Sequence, residues 1–333
     1  LSLRSNRTAQ PLEIQEMEVL PMGNFAFIPN HLDIENGLPF ELIPGFTINK
    51  ASDSQITAIE KNMVKLGDFI APEHSLPYKI SYSFNQVSDD ETHISTNAIE
   101  RSKWKYYVVN YEDDCVPLSK LQLASNLSDV VLCLDIFTFE RYQGEYAFGY
   151  TPELVFRFFN DNDLTKKNDI KIKNLQQIKS IYQRINEIEK EHVEVFNSII
   201  LFNSLRFLSP YHDFKMLGLF TVIESLLTHK PSSSETGDSI TRQIRTKVPL
   251  LLNRDETCKD FLNVFTESNE QTIWKKLYAF RSCLAHGRNP DFQKELLLLK
   301  NQLVVHEFLI NCIKKLLILA LSEPKLVQDL KEC

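Results

Sequence analysis

Trp274-Lys-Lys-Leu-Tyr278-Ala-Phe280-Arg281-Ser282-Cys283-Leu284-Ala285-His286-Gly287 is the stretch that decides how the second half of this chain folds. At about 100° per residue, Ile273, Leu277, Phe280 and Leu284 fall within about 60° of one another, the core-facing stripe of an amphipathic helix. Arg281 and His286 flank a sector away from that stripe. Only the small residues Ser282 and Ala285 lie between them, and Tyr278 shares the sector. Gly287 suits a helix C′ position and Pro290 discourages continuation, so the helix is predicted to stop directly after His286. The imidazole then stands at the negative end of the helix dipole.

A guanidinium and an imidazole at one helix end point to acid–base work on a phosphodiester. Arginine keeps its charge and presents a planar fork that matches phosphate oxygens. Histidine gives or takes a proton near neutral pH. An RNA 2′-hydroxyl attacking its own phosphate needs those two services and no metal. Arg206 and His212 repeat the pair at similar spacing, but Ser209-Pro210 lies between them and breaks a helix. The spacing therefore carries meaning only at Arg281 and His286, with Ser282 as a hydrogen-bonding assistant.

Arg281-Ser-Cys-Leu-Ala-His286-Gly287, following an aromatic-rich helix, resembles the Arg-x4–6-His signature of HEPN domains (higher eukaryotes and prokaryotes nucleotide-binding). Phe220-Thr-Val-Ile-Glu224-Ser-Leu-Leu227, Ser239-Ile-Thr-Arg-Gln-Ile244 and Val248-Pro-Leu-Leu-Leu252 resemble preceding helices of the Apea-like HEPN group. The resemblance covers roughly residues 175–330. It implies an all-α domain that dimerises, so that two Arg–His helices face each other across one composite site. It also implies metal-independent endoribonuclease activity in a prokaryotic phage-defence or toxin-like system. Many members carry Asn or Asp directly after the arginine, where this chain has Ser282.

Other residues have two readings each. Glu224 interrupts an apolar helix, where a carboxylate must be paired, exposed or functional. It either holds Arg281 in place or marks the solvent edge. Tyr278 either stacks on a base or packs between helices. Arg242, Arg245 and Lys247 either contact RNA phosphates or form a solvated face. Asp113-Asp114 reads as a turn, and Cys283 is adjacent to the site without joining it.

Composition bounds the rest. The 333 residues are 43% hydrophobic and 24% charged, enough for two domains. Net charge is −7, against a generic nucleic-acid binder, but residues 1–160 carry −10 and 161–333 carry +3. The positive excess lies with the Arg–His helix, a pointer to a polyanionic partner there. That partner is expected to be RNA, with tRNA among the substrates to test. Cys115, Cys133, Cys258, Cys283, Cys312 and Cys333 form no C-x-x-C pair, which fits a reducing cytoplasm. His31, His74 and His93 lack zinc-ligand spacing, and no glycine-rich phosphate loop occurs, so neither metal nor cofactor is expected. The most apolar stretch, Leu296 to Leu321, is interrupted by charges and reads as an amphipathic helix, not a membrane span. The chain opens at Leu1 without a basic, apolar and small-residue leader pattern.

Along the chain, Phe25–Ile28, Phe40–Ile43, Tyr78–Phe84, Trp104–Val109, Val130–Phe137 and Leu154–Phe159 read as strands. Ser52–Leu66 and Leu118–Leu127 read as helices. Asn160–Asp169 is polar and turn-forming, the best boundary. Beyond it the period becomes helical: Ile178–Leu208 as one helix or two joined end to end, then Tyr211–Leu227, Ile240–Leu252, Asp255–Phe265, Thr272–His286 and Phe292–Leu321. Pro231–Asp238 reads as a mobile loop. The expectation is α+β: a sheet-containing sensor or recognition domain over residues 1–165, meeting an unknown trigger, and an all-α HEPN domain over 170–333 that pairs as a homodimer. A non-catalytic HEPN module binding nucleotide or RNA, or a regulatory scaffold, is the alternative.

Overall fold

The computed structural model describes residues 23–30, 32–34, 37–70, 82–86, 94–98, 106–143, 145–155, 168–230, 239–254, 264–265 and 269–333. The chain is α+β: strands dominate the first half, and among the described residues no strand follows Ile170. The strands are β1 (Asn24–Ile28), β2 (Leu32–Ile34), β3 (Phe40–Ile43), β4 (Phe46–Lys50), β5 (Tyr82–Gln86), β6 (Ile94–Ala98), β7 (Tyr107–Tyr111), β8 (Phe137–Tyr142), β9 (Glu145–Tyr150) and β10 (Asn168–Ile170). Six build one antiparallel sheet in the order β3-β4-β7-β1-β8-β9. β10 pairs parallel with β2, and β5 pairs antiparallel with β6.

Alternation along the strands buries both faces of the sheet. Phe25 and Phe27 turn to one face with Tyr106, Val108, Phe137 and Phe139, under Ile56, Ile59 and Met63 of α1 (Asp53–Ile70). Phe25 stacks on Phe139 with ring centroids 4.5 Å apart. Ala26, Ile28, Ile48, Tyr107, Val109 and Tyr111 turn to the other face. There they join one continuous apolar cluster with α2 (Val116–Leu127) and the helices of the second half.

Those helices are α3 (Ile172–Glu191), α4 (Val193–Ser204), α5 (Asp213–Leu227), α6 (Ile240–Leu252), α7 (Glu270–Ala285), α8 (Gln302–Ser322) and α9 (Pro324–Glu332). α3 and α4 run end to end through His192, whose N–H still donates to Ile188 O. Side-chain caps fix several starts. Ser239 accepts from the Arg242 N–H at 3.2 Å, Asn269 from Thr272 at 2.8 Å and Asn301 from Val304 at 3.0 Å.

Several elements depart from the sequence expectation. The run from Val130 is irregular, and its strand starts only at Phe137. The N–H groups of Leu132, Cys133 and Leu134 are taken by the side chains of Ser125, Asn30 and Gln122, not by a neighbouring strand. Leu154 and Val155 belong to a helical turn over 152–155. The helix expected from Phe292 begins at Gln302. Before it come turns, a 3-10 turn at Leu297–Leu299, and Lys300 at φ 62°. β2, β4, β6, β9 and β10 escaped the reading, and β10 makes a strand of Asn168 and Asp169, which were expected in the turn-forming boundary. Residues 78–81, 104–105, 156–167, 231–238 and 255–263, carrying parts of three expected strands, most of the expected boundary, the expected loop and most of one helix, lie outside the described residues. Among the described residues no helix is long and apolar enough to cross a membrane.

Candidate active site

α7 buries two ridges, and the second one builds the site. Ile273, Leu277, Phe280 and Leu284 form the expected core stripe, all buried. Trp274, Tyr278 and Arg281 stand at i, i+4 and i+7, one shared side of a helix. Trp274 packs against Phe308 of α8 and Tyr278 meets Phe220 of α5 edge-on, with centroids 5.9 and 5.5 Å apart. Tyr278 is therefore buried, at 7% exposure, and does not line an open floor for base stacking. Burial, with the adjoining Glu224 carboxylate, raises its phenol pKa, so it stays a hydrogen-bond donor.

Glu224, on α5, collects both polar partners of that ridge. Its Oε1 accepts from the Tyr278 hydroxyl at 3.2 Å, and its Oε2 accepts from Arg281 Nη2 at 3.3 Å. Arg281 Nε stands 3.2 Å from Oε1, an ion pair without hydrogen-bond alignment. The carboxylate thus meets the guanidinium on its Nε–Nη2 edge. The end-on edge, Nη1 with the second N–H of Nη2, is left for another group. The Arg281 side chain is 36% exposed and Glu224 only 15%, so the tether is the more enclosed of the two while the cation reaches the surface.

The helix stops where the sequence places the stop. Gly287 takes φ 64°, its N–H donates to Leu284 O, and the Arg288 N–H donates to Cys283 O at 2.8 Å. This 6→1 and 5→2 pair is a Schellman turn with Gly287 at C′. The turn leaves His286 as the last residue of the helix end, exposed, with Ser282 and Ala285 also exposed on the surface behind it. Cys283 is half-buried beside them.

The three basic residues assigned to RNA separate. Arg242 is exposed in the first turn of α6. Arg245 is half-buried, with its Nε enclosed and without a partner. Lys247 is buried and cannot reach an outside phosphate. It shares a face with Gln243, Ile244, Val248 and Leu251. Its ammonium donates to Leu227 O at 3.2 Å, Lys331 O at 3.2 Å and Gln243 Oε1 at 3.4 Å. It closes the carbonyl ends of α5 and α9.

One candidate was not singled out from the sequence. Arg288 follows the Schellman glycine, is exposed, and has no side-chain partner among the described residues. Its place two residues beyond the motif histidine was a readable signal. The decoy pair is not a site: Arg206 is held by Asp135, and the His212 ring accepts from the Phe214 N–H at the start of α5. No protein-family model, curated protein or solved structure matches this chain.

Proposed function

We propose that this chain is a metal-independent endoribonuclease of the HEPN kind, acting in a prokaryotic defence or toxin-like system. One observation carries the reading. Arg281 is tethered by a half-buried carboxylate on one edge, its other edge is left for a ligand, and it stands just before a helix end that exposes His286. The 2′-oxygen attacks the adjacent phosphorus, the 5′-oxygen leaves, and a 2′,3′-cyclic phosphate and a 5′-hydroxyl result. His286 takes the 2′-proton or supplies the proton of the leaving oxygen. Arg281 stabilises the crowded phosphate, and Ser282 donates a further hydrogen bond. A second copy of the chain, related by a two-fold axis, supplies the other proton-transfer group from its own histidine. Arg288 and Arg242 then contact flanking phosphates, strengthening binding without reading sequence.

A binding module that holds RNA or nucleotide without cutting is the second reading. It is favoured by Ser282 in place of Asn or Asp and by the charge Glu224 already places on Arg281. The test is full-length protein incubated with RNA, tRNA included, in excess EDTA. Cleavage leaving cyclic phosphate ends, with DNA untouched, is expected. His286→Ala should lose about 10²- to 10⁴-fold in rate, Ser282→Ala less, and Arg281→Lys should be severely impaired because an ammonium lacks the fork. Activity should also fall on dilution as a dimer dissociates. Cleavage that requires added Mg²⁺, or full activity in Arg281→Lys, sinks the proposal. Binding without cleavage moves the chain to the second reading.

A further inference from the structure

Between the end of α2, the last turn of α6 and the outer half of α8 lies a cavity of about 620 Å³, within the size range of small-molecule sites. Leu127, Leu251 and Leu319 give it apolar walls. Lys314 enters from α8. Its ammonium donates to Ser128 O at 2.8 Å, its one hydrogen bond among the described residues. An ammonium carries three N–H groups, so two remain to be met inside the cavity, and no carboxylate described here lies within ion-pair distance.

The other charged groups facing the cavity are Asp129 after α2, Lys315 on α8, and Arg254 and Glu323. The last two are occupied with each other, Arg254 Nη2 donating to both carboxylate oxygens at 3.1 and 2.9 Å. Burial costs the Lys314 ammonium more than Asp129 returns, and its pKa is pushed down to about 8. A cation held in an apolar wall with unused donors is an incomplete pair.

We propose that this cavity binds a small amphiphilic anion, with a carboxylate or phosphate monoester head on Lys314 and an apolar body against Leu127, Leu251 and Leu319. The head meets the two unused N–H groups, and the body covers the part of the apolar wall that is still open, at the half-buried Leu252, Ile318 and Leu319. The site includes neither Arg281 nor His286, so it stands whether or not the chain cleaves RNA.

Calorimetric titration of the full chain with octanoate, octyl phosphate and octanol tests this. At least one anion should bind at least tenfold more tightly than octanol; which one does so assigns carboxylate or phosphate. Lys314→Met should lose tenfold or more, Lys314→Arg should keep most affinity, and Leu319→Trp, which fills the cavity, should block it. Binding should weaken from pH 7 to pH 9.5, because the amine sheds the proton that the anion pairs with. Octanol binding as tightly as both anions, no binding by either anion, or unchanged affinity in Lys314→Met overturns the proposal. If Lys314→Met fails to fold, the octanol comparison and Leu319→Trp decide it.

Discussion

Glu224 serves two partners at once, and its chemistry decides what each can do. A carboxylate is an acceptor only, so it holds the Tyr278 hydroxyl and the Arg281 guanidinium without competing for a proton. Glu224→Gln keeps an oxygen for Tyr278 but removes the charge that fixes Arg281. Because Arg281 is a third exposed, the stability loss should stay below about 1 kcal/mol. The single-turnover cleavage rate should nonetheless fall about 10- to 100-fold, the range for removing a group that orients a working side chain. Wild-type cleavage in a well-folded Glu224→Gln protein would show that Arg281 needs no tether. Glu224 was legible in the sequence because a carboxylate inside Leu219–Leu227 had to find a partner. Of the two readings of Tyr278, packing between helices is the one the structure shows; the sequence left both open because one apolar stripe was read on α7 where two exist. The i, i+4, i+7 series Trp274, Tyr278, Arg281 was present in the sequence, but only the position of α5 reveals that this ridge is covered.

At the scale of elements, helix ends control both the site and the mistaken assignment. Gly287 has nothing within 4 Å of where a Cβ would sit, so its φ of 64° alone decides the effect of substitution. Gly287→Ala should cost about 1 kcal/mol for a left-handed residue, lowering the melting midpoint by about 2 °C. Cleavage should suffer more than stability, because the Schellman turn sets where His286 stands; Gly287→Asn should be milder on both counts. Equal activity in Gly287→Ala would mean that the turn does not position the histidine. Lys247 makes the opposite case. Lys247→Met strands the carbonyls of Leu227 and Lys331 and should cost about 1–3 kcal/mol in a denaturant titration. The salt dependence of RNA binding should stay unchanged; a slope reduced by about one would mean a phosphate contact. The glycine stop at Gly287 made the end of α7 legible, whereas the Ser239 cap of α6 is seen only in the structure. The start of α8 was missed because Leu296–Leu299 carries an apolar run into a 3-10 turn, although Asn301 is a good N-cap. β4 was missed although Pro44-Gly45 separates it from β3 as a turn pair should.

At the scale of the whole molecule, the sheet is covered on both faces, and its second cover is the helical half. Local periodicity announces a change of structure near residue 170, but which side chains share a core depends on the sheet's far face, which no local pattern describes. Ala26, Ile28, Val109 and Tyr111 from the strands, with Leu121 and Leu127 from α2, share one apolar cluster with Leu175, Ile178 and Leu316. Side chains bridge the same seam: Lys120 pairs with Glu189 at 2.7 Å, the Asn126 amide donates to Asn203, and Lys314 donates to Ser128 O. A fragment of residues 170–333 keeps every helix that carries Arg281, His286 and Glu224, yet loses α2 and the sheet face beneath it. It should retain a helical circular-dichroism spectrum, because α3 to α9 make their own backbone hydrogen bonds. It should melt well below the full chain and bind an apolar-sensitive dye, because Leu175, Ile178 and Leu316 lose part of their cover. Dye binding and a melting midpoint equal to those of the full chain would show that the helical half closes its core alone. The contrast also bears on regulation. If the N-terminal half senses a trigger, the shared cluster is the physical route by which movement of the sheet reaches α3 and α8, and mutations at Leu121 or Leu127 should change stability and activity together.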